Sequence, residues 1–304
     1  MTAIPTAYVD GRARAAAIDE RRADLYVRHT RIGDPLADAA MEDLAEIPRA
    51  QWARFISAGM DENEKVLREA PQSLRDLFAE PEPEWLGHEA FEPGVRAFQA
   101  NVVNVFAAFV AGTLIDGFST LISESFVQTG RIFDNGVARL RQNNRHQVEI
   151  FWPDGLQRYG DGWKLSVRIR LVHAQVRHLL SRSPEWDLEA LGIPVSAAHM
   201  GFALACFSAR TLKHSATLGA AYSRQERESF CAVWRYAGHL MGVPEALLYT
   251  DEADALRWYA VGKACEPPPG ASAVLMTNAL INSAPLVAGI TDSETRSNLV
   301  RKTI

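Results

Sequence analysis

Cysteine is scarce in this sequence: Cys206, Cys231 and Cys265 are the only three in 304 residues, and no two form a CxxC pair. An odd number of widely spaced thiols excludes a disulfide framework and a thiolate zinc site, and leaves reduced, buried side chains as the expectation. Excess positive charge is also missing. The chain carries 32 Lys and Arg against 37 Asp and Glu, a net charge of −5. It therefore lacks the overall basic field that draws nucleic acid or an anionic membrane surface, and neither is expected as a partner. No apolar run reaches the roughly 20 residues that a membrane span needs. The most apolar stretch, Val102 to Phe118, is interrupted by Asn104 and Asp116 and reads as a buried core helix. The opening residues, MTAIPTAYVDGRARAAAIDERR, have no apolar segment behind a basic start. No secretory leader is expected, and a cytoplasmic location follows.

Sustained period-two alternation is nearly absent as well, whereas apolar residues recur at helical spacing in almost every segment, so the fold class expected is all-α. Residues 1–80 read as an N-terminal helical extension of alanine-rich, charged, amphipathic stretches, ending at the breaker run EPEPEW. Residues 81–304 read as the main body. Phe98 to Gln128 supplies two apolar helical stretches with a break expected near Asp116 and Gly117. Gly162 to Ser181 follows the turn-rich RYGDG, a further helix follows Ser183 and Pro184, and another starts near Ser196. The clearest helix runs from Arg224 to Met241. Ser223 and Glu226 have capping-box spacing, Phe230, Trp234, Ala237 and Met241 form an apolar stripe, and Gly242 with Pro244 ends it. Only Gln147 to Trp152 reads as a short extended piece.

Several catalytic patterns are missing too. There is no GxGxxG, no GxxxxGK[ST] and no GxSxG, which removes nucleotide loops and the nucleophile elbow. His88-Glu89 begins a zincin sequence, but Glu92 stands where the second histidine is required. None of the eight histidines has a glutamate three residues before it, so a carboxylate-bridged di-iron bundle is excluded.

What remains is the run VRIRLVHAQVR, Val167 to Arg177. On a helix Arg170 and Arg177 lie at i−3 and i+4 from His173 and share its face with Ile169, Val176 and Leu180. Two neighbouring guanidiniums disfavour a protonated imidazole, and a neutral imidazole is what a metal takes as ligand. Haem would complete the set, with iron for the nitrogen, carboxylates for the guanidiniums and an apolar disc for the surrounding side chains. The residues alone leave a second reading open, in which His173 packs in the core with one hydrogen bond and the arginines face water.

A string of local similarities settles on one family. GDPLADA (Gly33 to Ala39), GRIFDNGVARLRQ (Gly130 to Gln142), GWKLSVRIRLVHAQVRHLL (Gly162 to Leu180), GIPVSAAHM (Gly192 to Met200) and WRYAGHLMGVPEAL (Trp234 to Leu247) occur in order. Together they resemble the haem-dependent MpaB and rubber-oxygenase family over roughly residues 33 to 290. The resemblance implies a globin-like helical pocket for haem b, with His173 as the proximal iron ligand and Arg139 as a distal arginine able to donate hydrogen bonds to oxygen. Gln142 falls where rubber-cleaving members carry a lysine, and Asn143 where the family usually has threonine. Arg170 and Arg177 match family arginines near the ligand, for which pairing with haem propionates is our own expectation. Ala197 and His199 replace a Gln and an Asp common in the family, and His199 is expected first as a surface residue. Glu124 is expected to be a solvated residue on a helix face.

The function implied is an oxygenase using haem iron and dioxygen on an apolar, unsaturated small molecule. The altered distal residues keep an alternative in view, a haem-binding protein for sensing or storage without turnover. A third reading, a helical interaction protein with no cofactor, differs in having no visible absorption.

Overall fold

The computed structural model describes residues 4–129, 132–290 and 292, and of 132–135 and 139 the backbone alone. Among the described residues every regular element is helical and no strand occurs. Helix α1 (Val9–His29) is kinked at Asp19, whose carboxylate accepts the Arg22 N–H and so caps the second half of the helix internally. It is followed by α2 (Pro35–Ala45), α3 (Arg49–Met60) and α4 (Gln72–Phe78), then by the proline-rich 79–87 segment. The helical extension read from the sequence is therefore present as helices. It does not hang free: α1 lies along a helix near the other end of the chain, α12 (Glu252–Cys265). Contact is tight because a Cβ at Gly11 would lie 1.8 Å from the Cys265 carbonyl oxygen, so only glycine permits this approach.

The intervening helices are α5 (Glu92–Ala100), α6 (Val102–Phe118), α7 (Ile122–Gln128), α8 (Ile132–Ile150), α9 (Asp161–Leu180), α10 (residues 197–217) and α11 (Arg224–Leu240). After α12 comes α13 (Ala271–Val287). Serine capping is used twice, as the sequence predicted for one case. Ser223 Oγ accepts the Glu226 N–H while the Glu226 carboxylate accepts the Ser223 N–H, and Ser196 Oγ accepts the N–H of His199. The stripe Phe230, Trp234, Ala237 and Met241 is buried. So are the three cysteines, all free thiols.

Two expectations need correction. The segment Gln147 to Trp152 is not extended, because α8 continues through Ile150. The buried residues His146, Gln147, Ile150 and Phe151 recur at helical rather than alternating spacing, and this burial overrides the β-branched appearance of VEIF. Phe151 then stacks on both Phe98 and Phe230, with centroids 4.6 and 4.5 Å apart, joining α5, the end of α8 and α11. Burying each such ring contributes roughly 1.5–3 kcal/mol. Second, α6 is neither continuous nor wholly buried. It contains a π turn at Phe109–Thr113 and leaves Val103 76% exposed, while its end at Phe118 agrees with the break expected near Asp116 and Gly117. A second π turn, Cys206–Arg210, interrupts α10, and the two are tied by a 2.9 Å hydrogen bond between the Thr113 and Thr211 hydroxyls. Among the described residues no single helix is long and apolar enough to cross a membrane, although His88–Ala100 and Val102–Phe118 pass by length and composition as a pair bent by 84°.

Candidate functional site

Helices α8 and α9 form a hairpin through the turn-rich 151–160 segment, and their facing sides open onto an apolar pocket. The far walls come from α6, α7, α10 and α13, including Phe118, Ile122, Phe202, Phe207 and Leu280. The cavity is about 170 Å³ and opens through a mouth towards solvent. Three histidines, His146, His173 and His199, line this pocket, as do Thr120 and Asn143.

His173 is half-buried in the wall beside Ile169. Asn143 and the neighbouring Gln142 are both exposed, but only Asn143 lines the pocket, at its mouth. One residue is about 100° of helix rotation, enough to turn a side chain from the pocket to solvent. The Arg139 side chain lies outside the described residues. Glu124 is half-buried and accepts the Ser272 hydroxyl, rather than being solvated.

Arg170 and Arg177 are buried, but they face away from the pocket towards the N-terminal helices. The Arg170 guanidinium holds Asp34 through Nε and Nη2, at 2.5 and 2.9 Å, and also pairs with Glu80. Arg177 donates from Nε to Asp38 at 2.6 Å and from Nη1 to the Val195 carbonyl. The partners expected for them were propionates; the partners observed are carboxylates of the chain itself. The physical reason is the GDPLADA segment. Its Asp34 caps α2 by accepting the Ala37 N–H, and the same turn presents Asp34 and Asp38 side by side to α9. Gly242, with φ +81°, completes this joint, since a Cβ there would stand 1.9 Å from the Asp34 carboxylate. The two family-like segments quoted separately from the sequence are thus one buried clamp fixing the helix of His173.

His199 is the second correction within the site. It is 1% exposed, with Nε2 2.9 Å from the Tyr8 hydroxyl and 3.4 Å from Glu266, and Nδ1 3.2 Å from Ser196 Oγ. Glu266 is the hub of this network. It also accepts the Tyr26 hydroxyl and the N–H of Leu121, in the turn beside Thr120. Burial, with the Glu266 charge added, holds the Tyr8 and Tyr26 hydroxyls well above their ordinary range. The pocket wall is thereby joined to α1. A separate polar cluster flanks the π turns, where Asp116 accepts from Arg210, His214 and Tyr259. Burial pushes its carboxyl up, but the His214 and Arg210 hydrogen bonds outweigh this and leave it below the usual range.

Sequence reasoning passed over His146. It is 5% exposed, its ring meets Trp234 edge-on at 5.9 Å, and burial pushes its imidazole down to about 4. A signal was available, since His146 follows Asn143 by three positions on the same helix face. Reading Gln147 to Trp152 as extended concealed it. Because the folded value lies below the unfolded value near 6.5, the unfolded chain binds more protons between the two. Stability is therefore full above pH 6.5 and falls as pH drops through about 4, by about 3 kcal/mol from this residue. Urea unfolding at pH 7 and pH 4.5 should show a part of the acid loss that His146→Phe removes; an identical acid loss in the variant contradicts it.

The fit to haem can be judged from these residues. His173 offers an imidazole, and the walls around it are mostly apolar. The described lining carries no cation, and no group of three His, Cys, Asp or Glu among the described residues could hold a bare metal ion. Iron brought by a macrocycle needs only the one protein ligand that the wall provides.

Comparison with known proteins agrees with this architecture. The chain is 28% identical over 228 residues to the rubber oxygenase of Streptomyces sp. (strain K30), covering 70% of this chain and 52% of that protein. It thus spans about half the length of that relative. The structure of latex clearing protein LCP in the closed state shares the fold, with a TM-score of 0.72 and 20% identity over 90% of this chain and 75% of the other. Residues 96–298 match the family described as ER-bound oxygenase mpaB/B'/rubber oxygenase, catalytic domain. By that match, over two thirds of its length, the chain belongs to the mpaB and rubber-oxygenase family.

Proposed function

We propose that this protein is a haem b-dependent oxygenase that uses dioxygen on an apolar, unsaturated small molecule bound in the pocket between α8, α9 and α10. The observation that carries this reading is His173, half-buried in a mostly apolar pocket of a chain from an oxygenase family. His173 would hold the iron, and the haem, when bound, would supply the redox centre that activates dioxygen. Asn143 offers hydrogen bonds at the mouth. Arg139, four residues before it, is proposed to stabilise negative charge that develops on oxygen. Gln142, exposed in the structure, would act only at the edge of the site. Arg170 and Arg177 act on this reading as positioning residues, because the clamp to Asp34 and Asp38 fixes the helix from which His173 projects. The apolar walls orient the substrate and exclude water.

Expression with haem precursor, followed by a visible spectrum and iron analysis, tests the proposal. About one haem b per chain is expected, with oxygen uptake on addition of an alkene substrate. A protein that stays colourless after haem reconstitution overturns it. Bound haem without oxygen uptake across a panel of alkenes supports storage or sensing instead.

A further inference from the structure

The hydrogen bonds around His146 fix its tautomer. Ser166 Oγ lies 2.7 Å from the Gly162 carbonyl oxygen, which can only accept, so the single hydroxyl proton is used there. The same Oγ is 2.9 Å from His146 Nε2. With the serine proton committed, Nε2 must be the donor, and the remaining lone pair of the ring belongs to Nδ1. Among the described residues the hydrogen bonding of His146 is made at Nε2 alone. The ring nevertheless lines the pocket, although the residue is only 5% exposed. An unprotonated ring nitrogen can only accept, so a ligand that brings a donor is favoured at this point of the pocket.

We infer that His146 Nδ1 is the built-in hydrogen-bond acceptor of the pocket, and that its ligands are apolar molecules carrying one O–H or N–H donor. Ser166 is the positioning residue, since it sets the tautomer without reaching the pocket. Much of the surrounding wall is hydrocarbon, including Leu204, Ile169 and Met241, so a polar point at His146 orients a ligand that is otherwise apolar. This inference shares its pocket with the proposed function but does not depend on iron or on turnover.

The test compares 4-butylphenol with butylbenzene, which differ by one hydroxyl, binding to the full chain as purified. Calorimetry should give the phenol an advantage of about fivefold to tenfold, the worth of one buried neutral hydrogen bond. In His146→Phe, which keeps an aromatic ring beside Trp234, that advantage should vanish while butylbenzene binds as before. Ser166→Ala releases the tautomer and should shrink the advantage without altering butylbenzene. Nitrogen-15 spectra of the histidines should show Nε2 protonated and Nδ1 unprotonated at neutral pH. A phenol preference that persists in His146→Phe, or a protonated Nδ1, overturns the inference. Equal binding of both probes also overturns it while leaving the oxygenase reading intact. Failure of either probe to bind overturns it together with the pocket assignment.

Discussion

Replacing His173 with alanine is expected to weaken haem retention by more than about a hundredfold. Loss of an outer-shell partner alone typically costs a metal site 10–100-fold, and here the proposed ligand itself is removed. The fold should survive. His173 is only half-buried, alanine is the strongest helix former, and α9 is fixed on either side by Arg170 and Arg177. The measurement is the Soret absorbance after gel filtration, set against far-ultraviolet circular dichroism of the same sample. A variant that keeps its Soret band removes His173 as ligand. If the band instead disappears in His146→Phe, the iron belongs to the other imidazole of the same wall.

The sequence made the helices legible wherever a local rule acted alone. Ser223 and Glu226 cap α11 because both partners lie within one turn, and the apolar stripe behind them needs no knowledge of the rest of the chain. Legibility failed where distant segments decide. Arg170 and Arg177 looked like cations awaiting carboxylates, and they are, but Asp34 and Asp38 sit 136 and 139 residues away in sequence. Nothing in the spacing of either segment announces the other. His199 was misjudged for the same reason, since Tyr8 and Glu266, which bury and bond it, come from opposite ends of the chain. His146 was hidden by a different cause. VEIF has the β-branched composition of a strand, and only tertiary burial of Gln147, Ile150 and Phe151 holds it helical.

Asp34→Ala should be the most damaging substitution to stability among the clamp residues, at about 3–5 kcal/mol, the usual cost of stripping one partner from a buried ion pair. Arg170 and Asp34 are each about 5% exposed, so the guanidinium cannot recover its lost bonds from bulk water. Glu80 still pairs with Arg170, but its side chain is 27% exposed and it reaches only Nη1. The same variant also strips the cap from α2, which contributes within that range. Asp38→Ala should cost less, because the Asp38 side chain is 37% exposed and water can take its place beside Arg177. Urea unfolding at neutral pH gives the comparison. Pairing Asp34→Ala with Arg170→Met should restore much of the loss, because the charge left stranded is then removed and the apolar stem kept. The double variant also separates two roles for Arg170. If the clamp only positions α9, haem retention should follow stability and return with it. If Arg170 turns to a propionate when haem binds, Asp34→Ala should cost little in the loaded protein, and the double variant should lose haem even after its stability has recovered.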